Sequence, residues 1–156
     1  MEMQVSLPVD KDGFLRRECP HCERQFKWFH GSTDERPVDF LEPENYVCPY
    51  CGEPAGHGSW WTLEQLTYMH EAAKGPIMEE AAQKLRQALG GVGSRGNSFV
   101  RVEVKEPKQP EPPMPLVEPD DMMMVEPPCH SFEPLKVADD WTESIHCLMC
   151  GEQFTV

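Results

Sequence analysis

The chain has 156 residues, a formal net charge of −13 and a mean hydropathy of −0.55. That length allows one medium domain or two small ones, and a composition this polar, with 16 prolines, argues against a single large apolar core. No run approaches the ~18 apolar residues of a membrane span, and Met1 to Pro8 lacks the basic and apolar regions of an export signal, so a cytoplasmic protein without a membrane partner is expected.

Taken in chain order, residues 1–13 are a polar lead-in ending in the turn Lys11-Asp12-Gly13. Strand-like sequence, Gly13 to Arg17 and Gln25 to Phe29, flanks Cys19-Pro20-His21-Cys22. Gly31 to Glu44, with Pro37 and Pro43 and many charges, reads as a surface loop before Cys48-Pro49-Tyr50-Cys51-Gly52. Trp60-Trp61 is read as packing. Thr62 and Gln65 then form a capping box, in which each side chain satisfies an otherwise orphan backbone N–H. Leu63, Leu66, Met69, Ala73, Ile77, Ala81, Leu85 and Ala88 recur at helical spacing up to Gly90-Gly91. Pro76 removes a backbone donor in mid-run, so two helices, 62–74 and 76–90, or one kinked helix are expected. Their apolar face is expected to pack on the N-terminal module, the alternative being a homodimer or partner surface within residues 62–90.

Phe99 to Val104 alternates like a strand, Glu106 to Pro119 has polyproline II character, and Met122 to Val125 is expected to be a strand pairing with Phe99–Val104. Glu133 to Val137 and Phe154 to Val156 supply two further short strands around Trp141.

The seven cysteines carry the chemistry. Two residues three apart in a tight turn can grip one metal ion, and the turn aims backbone N–H groups at the sulfurs. Cys19, Cys22, Cys48 and Cys51 supply two such turns and four soft thiolates, the set a tetrahedral Zn2+ prefers. Cys147-Leu148-Met149-Cys150-Gly151 is a third turn, joined by Cys129-His130 upstream. Three thiolates leave a fourth position for a histidine. His130, in a proline-bounded turn, is preferred over His146, whose side chain would point away from Cys147 in a strand. Two Zn2+ per chain are expected, and thiolate ligation would deepen the net charge to about −16. His21 and His70 are expected outside the ligand sets.

Residues 14–53 resemble the zinc-ribbon superfamily, in which knuckles at the ends of β-hairpins clasp one zinc, and residues 129–156 resemble a second such module. The resemblance departs at Glu23, which stands where such knuckles usually carry glycine; a less regular first turn is expected. Proteins similar to rubredoxin hold iron on paired CxxC turns, so iron at the first site is the alternative metal.

The resulting expectation is an α+β protein of two small zinc-ribbon β modules with a helical segment between them. Residues 1–90 form the ribbon with its helical segment, 91–128 a strand and Pro/Glu-rich linker, and 129–156 the second ribbon. No nucleophile elbow, phosphate loop or HExxH helix occurs, and a four-thiolate site has no open position, so no catalysis is expected. An adaptor or regulatory role with a protein partner is the primary reading. Nucleic-acid binding through Arg16, Arg17, Arg24, Lys27 and Trp28 is the alternative, and electron transfer by an iron-loaded first site is a third.

Overall fold

The computed structural model describes residues 3–90, 105 and 108–156. Its elements are eight strands, a 3-10 turn and one α-helix among the described residues, with every strand pair antiparallel, so the chain is α+β. It divides into two compact units, Ser6–Leu66 with Leu116–Val156, and Met1–Val5 with Thr67–Pro115.

The first unit contains β1 (Phe14–Glu18), β2 (Gln25–Phe29), β3 (Asn45–Val47), β4 (Pro54–Gly56), β5 (Met122–Val125), β6 (Leu135–Ala138), β7 (Ile145–His146) and β8 (Gln153–Phe154). Its main sheet has the order β1-β2-β6-β5, so strands from both ends of the chain share one sheet; β3-β4 and β7-β8 are separate hairpins. β5 pairs with β6, and the expected pairing of β5 with Phe99–Val104 falls on a segment outside the described residues. The register of β5 on β6 is set by apolar burial. Met123 meets Val137 and Val125 meets Leu135, which carries the apolar row of β2 across the sheet. That face forms the core with Phe26, Tyr50, Trp60, Ile145 and Leu148.

The other face of the sheet is charged. Arg16 pairs in register with Lys27, and Lys27 with Lys136, a row of three cations across neighbouring strands. Directly opposed like charges repel, yet Lys27 is 0% and Lys136 2% exposed. Carboxylates from outside the sheet resolve the conflict. Lys136 donates to Asp10 at 2.8 Å, Asp12 at 2.7 Å and Asp120 at 3.0 Å. Lys27 reaches Asp10, Glu118 and Asp121 at 3.2, 3.0 and 3.1 Å and donates to the Pro119 carbonyl. Arg16 holds both Asp121 oxygens at 2.6 and 2.7 Å. The N–H groups of Asp12 and Phe14 also donate to Asp10. Burial opposes the Asp10 charge, but Lys136, the Phe14 amide, Lys27 and the Asp12 amide outweigh it and hold the carboxyl at about 2.

The helix α1 runs Leu63–Leu89 without interruption, with Pro76 inside it. Its start is the expected capping box: the Thr62 amide donates to Gln65 Oε1 and the Gln65 amide to Thr62 Oγ1, each at 3.1 Å. Gln65 Nε2 also donates to the Arg16 carbonyl at 2.9 Å, tying the helix entry to β1. Pro76 removes one backbone donor from the middle of the helix, and the ion pairs Glu71–Lys74 and Glu80–Lys84 flank it on either side. Gly90 ends the helix, its amide donating to the Arg86 carbonyl at 2.8 Å. Leu63 and Leu66 are exposed in the first unit, and in the second Ile77 and Leu85 are exposed while Ala82 is buried.

Candidate metal centres

The first centre gathers Cys19, Cys22, Cys48 and Cys51, each offering a sulfur, with all four sulfurs within 4.8 Å of one another. Cys19 and Cys51 are 3.7 Å apart and Cys22 and Cys48 3.8 Å apart, Sγ to Sγ. None of the seven cysteines is in a disulfide. Each turn presents N–H groups to its leading sulfur: His21 and Cys22 donate to Cys19 at 3.3 and 3.4 Å, and Tyr50 and Cys51 donate to Cys48. Burial opposes a Cys19 thiolate, but these amides outweigh it and lower the Cys19 pKa. Burial and the neighbouring Cys19 push the Cys48 thiol up. Four sulfurs this close repel one another as thiolates unless a cation stands among them, and the donor set suits a soft divalent metal.

The two turns share one hydrogen-bond pattern. The Cys19 amide donates to the Arg24 carbonyl and the Glu23 amide to the Cys19 carbonyl; Cys48 with Glu53, and Gly52 with Cys48, repeat this. The position after the second cysteine must be left-handed to make these bonds. Gly52 has φ 75°, and Glu23 adopts φ 60°, the one non-glycine residue with positive φ among those described. The first turn is therefore regular, contrary to expectation, and the strain falls on Glu23. Glu23→Gly is expected to raise stability by about 0.5–1 kcal/mol, the left-handed penalty less the extra unfolded-state freedom of glycine. Chemical denaturation of the metal-loaded protein measures it.

The second centre brings together Cys129, His130, Cys147 and Cys150, again within 4.8 Å. Cys129 and Cys150 sulfurs are 3.4 Å apart, and His130 Nδ1 stands 3.5 Å from Cys147 Sγ. Phe40 and Phe132 hold the His130 ring edge-on at 5.8 and 5.6 Å. His146 is directed elsewhere, with Nδ1 at 3.0 Å from the Gly151 carbonyl and Nε2 at 3.3 Å from Gln153. Burial and the crowd of Cys150 and Cys147 push the Cys129 thiol up to about 12. The third turn repeats the first two: the Cys147 amide donates to Glu152, the Gly151 amide to Cys147, and Gly151 has φ 76°.

The two centres meet through a reciprocal contact. The Val47 amide donates to the Leu148 carbonyl at 2.9 Å, and the His146 amide to the Pro49 carbonyl at 2.8 Å. The residue before each turn thus bonds to the residue that follows the first cysteine of the other turn. Each glycine faces the same partner: a Cβ on Gly52 would lie 2.8 Å from His146 Cε1, and one on Gly151 3.5 Å from the Val47 methyls. Tyr50, between Cys48 and Cys51, ties this pair of turns to the sheet by donating to the Gln25 carbonyl at 2.7 Å and accepting from the Ala138 amide at 3.0 Å.

Of the strip expected to meet nucleic acid, Arg16, Arg17 and Lys27 are engaged within the fold, while Arg24 is exposed. Lys27 is buried and Arg16 paired. Arg17 lies 4.4 Å from both the Trp28 and Trp61 rings, and Arg24 4.8 Å from Trp141. His21 and His70 are exposed, and neither joins a cluster. Sequence reasoning missed Tyr50 and Asp10; the only available signal for Asp10 was the surplus of acidic residues flanking lysine-bearing strands. Comparison with protein families, curated proteins and solved structures finds nothing that matches this chain. The class its geometry defines is a small α+β protein with two cysteine-rich clusters able to hold metal ions. No helix among the described residues is long and apolar enough to cross a membrane.

Proposed function

We propose that both clusters are structural zinc centres of zinc-ribbon type, with His130 completing the second, and that the protein acts without catalysis as an adaptor presenting metal-stiffened surfaces to a protein partner. The observation that carries this reading is the completeness of each donor set: four protein atoms converge at each centre, which leaves no open position for a substrate. The three-sulfur, one-nitrogen set favours zinc over iron at the second centre. A net charge of −13 suits a basic protein partner better than a phosphate backbone, and engagement of Arg16, Arg17 and Lys27 within the fold weakens the nucleic-acid alternative further.

Native mass spectrometry with elemental analysis tests the metal reading. The full chain is expected to carry two zinc ions and the His130→Ala variant one; two in both would move the fourth ligand away from His130, and iron would turn the first centre toward electron transfer. Photo-crosslinking from Leu66, exposed on α1, tests the partner class: adducts with protein support the adaptor reading, and adducts with nucleic acid alone overturn it.

A further inference from the structure

The loop 31–44 does more than join two metal-binding turns. Thr33 Oγ1 donates to the Phe132 carbonyl at 2.7 Å and Phe40 packs on the Phe132 ring at 5.0 Å, so the loop is pinned to the segment after His130. Between them lies a cavity of about 390 Å3, within the range of ligand-sized pockets. Its lining includes Trp28, Tyr46 and Leu148, together with Arg36, Glu42 and Glu133. Tyr46 is fixed on both sides, stacked on His57 at 4.1 Å and donating its hydroxyl to Glu42.

Glu133 is the unusual member. It is only 8% exposed, and its Oε1 accepts no hydrogen bond. The nearest cation, Arg36, stands 3.5 Å from Glu133 and 3.7 Å from Glu42, outside the usual N–H···O range. One guanidinium held loosely by two carboxylates leaves the cavity net acidic. A buried carboxylate oxygen without a donor is costly and rare, and a cation carrying N–H groups is the ligand that would satisfy it. Aromatic walls beside carboxylates accept an alkyl stem and its charged head together.

We propose that this cavity binds the cationic side chain of a lysine or arginine from a protein partner, with Glu133 Oε1 accepting its N–H and Trp28, Tyr46 and Leu148 packing on its stem. The proposal rests on the protein-contact reading above and names the chemistry of the partner.

The test is an NMR titration of the metal-loaded, nitrogen-15-labelled full chain with the capped peptides Gly-Arg-Gly and Gly-Lys-Gly, and with the neutral citrulline analogue. Saturable shifts are expected at the Trp28 indole and at the Tyr46 and Leu148 amides. Affinity should fall roughly tenfold or more, both in Glu133→Gln and for the citrulline peptide, as loss of a charge-assisted hydrogen bond predicts. Ser32 is an exposed residue of the lining, and Ser32→Trp should block binding while leaving the spectrum folded, which guards against a Glu133 variant that fails to fold. Equal binding of the citrulline peptide overturns the proposal, as do shifts elsewhere that ignore both substitutions. Absence of any shift also overturns it. In each of these cases the protein-contact reading still stands or falls on the crosslinking from Leu66.

Discussion

Cys48→Ser is expected to empty both metal centres, although it removes a ligand from only one. Cys48 is fully buried and belongs to the turn whose Pro49 carbonyl receives the His146 amide. Structural zinc contributes on the order of 10–16 kcal/mol of apparent binding free energy, comparable with or above the ~5–15 kcal/mol total stability of a domain. Loss of the first centre therefore unfolds its turn. With that turn goes the reciprocal hydrogen-bond pair Val47–Leu148 and His146–Pro49, together with the surface against which the turn bearing Cys147 and Cys150 is built. Native mass spectrometry should find no zinc in the variant rather than one. Coupling of this kind is reciprocal, so Cys147→Ser should weaken metal retention at the first centre as well. Gly52→Ala is the milder probe: a methyl 2.8 Å from His146 Cε1, at a φ of +75°, strains both turns at once while touching no ligand. If the second centre holds its zinc undisturbed in both Cys48→Ser and Gly52→Ala, the contact between the turns carries no coupling.

The second large effect is expected at the charged face of the sheet. Lys136→Met should destabilise the metal-loaded protein by about 3 kcal/mol at neutral pH, the lower end of what breaking a buried ion pair costs. The reason is that Asp12 and Asp120 remain partly exposed to water while Asp10 does not. Burial opposes the ammonium of Lys136, but Asp10, Asp12 and Asp120 outweigh it and raise its pKa, so the cation is present throughout the working range. The sign of the pH dependence follows from Asp10. In the wild type its folded pKa of about 2 lies below its ordinary value of 3.8, so its contribution is fully present above about pH 4 and is lost as pH falls from there toward 2. In Lys136→Met the strongest of the hydrogen bonds holding Asp10 down is gone and its pKa rises, so the deficit should hold level from pH 7.5 to 5.5 and narrow only as the pH falls further, through the carboxylate range toward 2. Urea denaturation of both proteins across that interval reads the difference. A deficit under about 0.5 kcal/mol, or one that widens on acidification, would contradict the network.

How much of this was legible beforehand varied with the range of the interactions. The paired-cysteine turns were readable because two cysteines three apart meet in one turn, a local geometry that needs no knowledge of the rest of the chain. The capping box at Thr62 and Gln65 was local in the same way. Glu23 shows where local rules stop: its side chain disfavours the left-handed conformation, yet the hydrogen bonds of the turn and the cluster of sulfurs impose it. The helix runs on through Gly75-Pro76, two residues whose local preference is against it, so a local rule again fails to place a boundary.

By itself, then, the sequence determined the three paired-cysteine turns, the hairpin strands beside the first of them and the entry of the helix, all within short spans of chain where few conformations satisfy the backbone. Only the tertiary structure decided that β6 joins β2, because strand pairing between distant segments depends on register and shared burial, which composition does not encode. The same step changed the meaning of Arg16 and Lys27. On a lone hairpin they are solvated cations that could meet a phosphate; with β6 alongside and Glu118 and Asp121 above them, they are internal ion pairs. Burial and charge pairing are properties of what lies across from a residue, and that is settled only when distant parts of the chain have met.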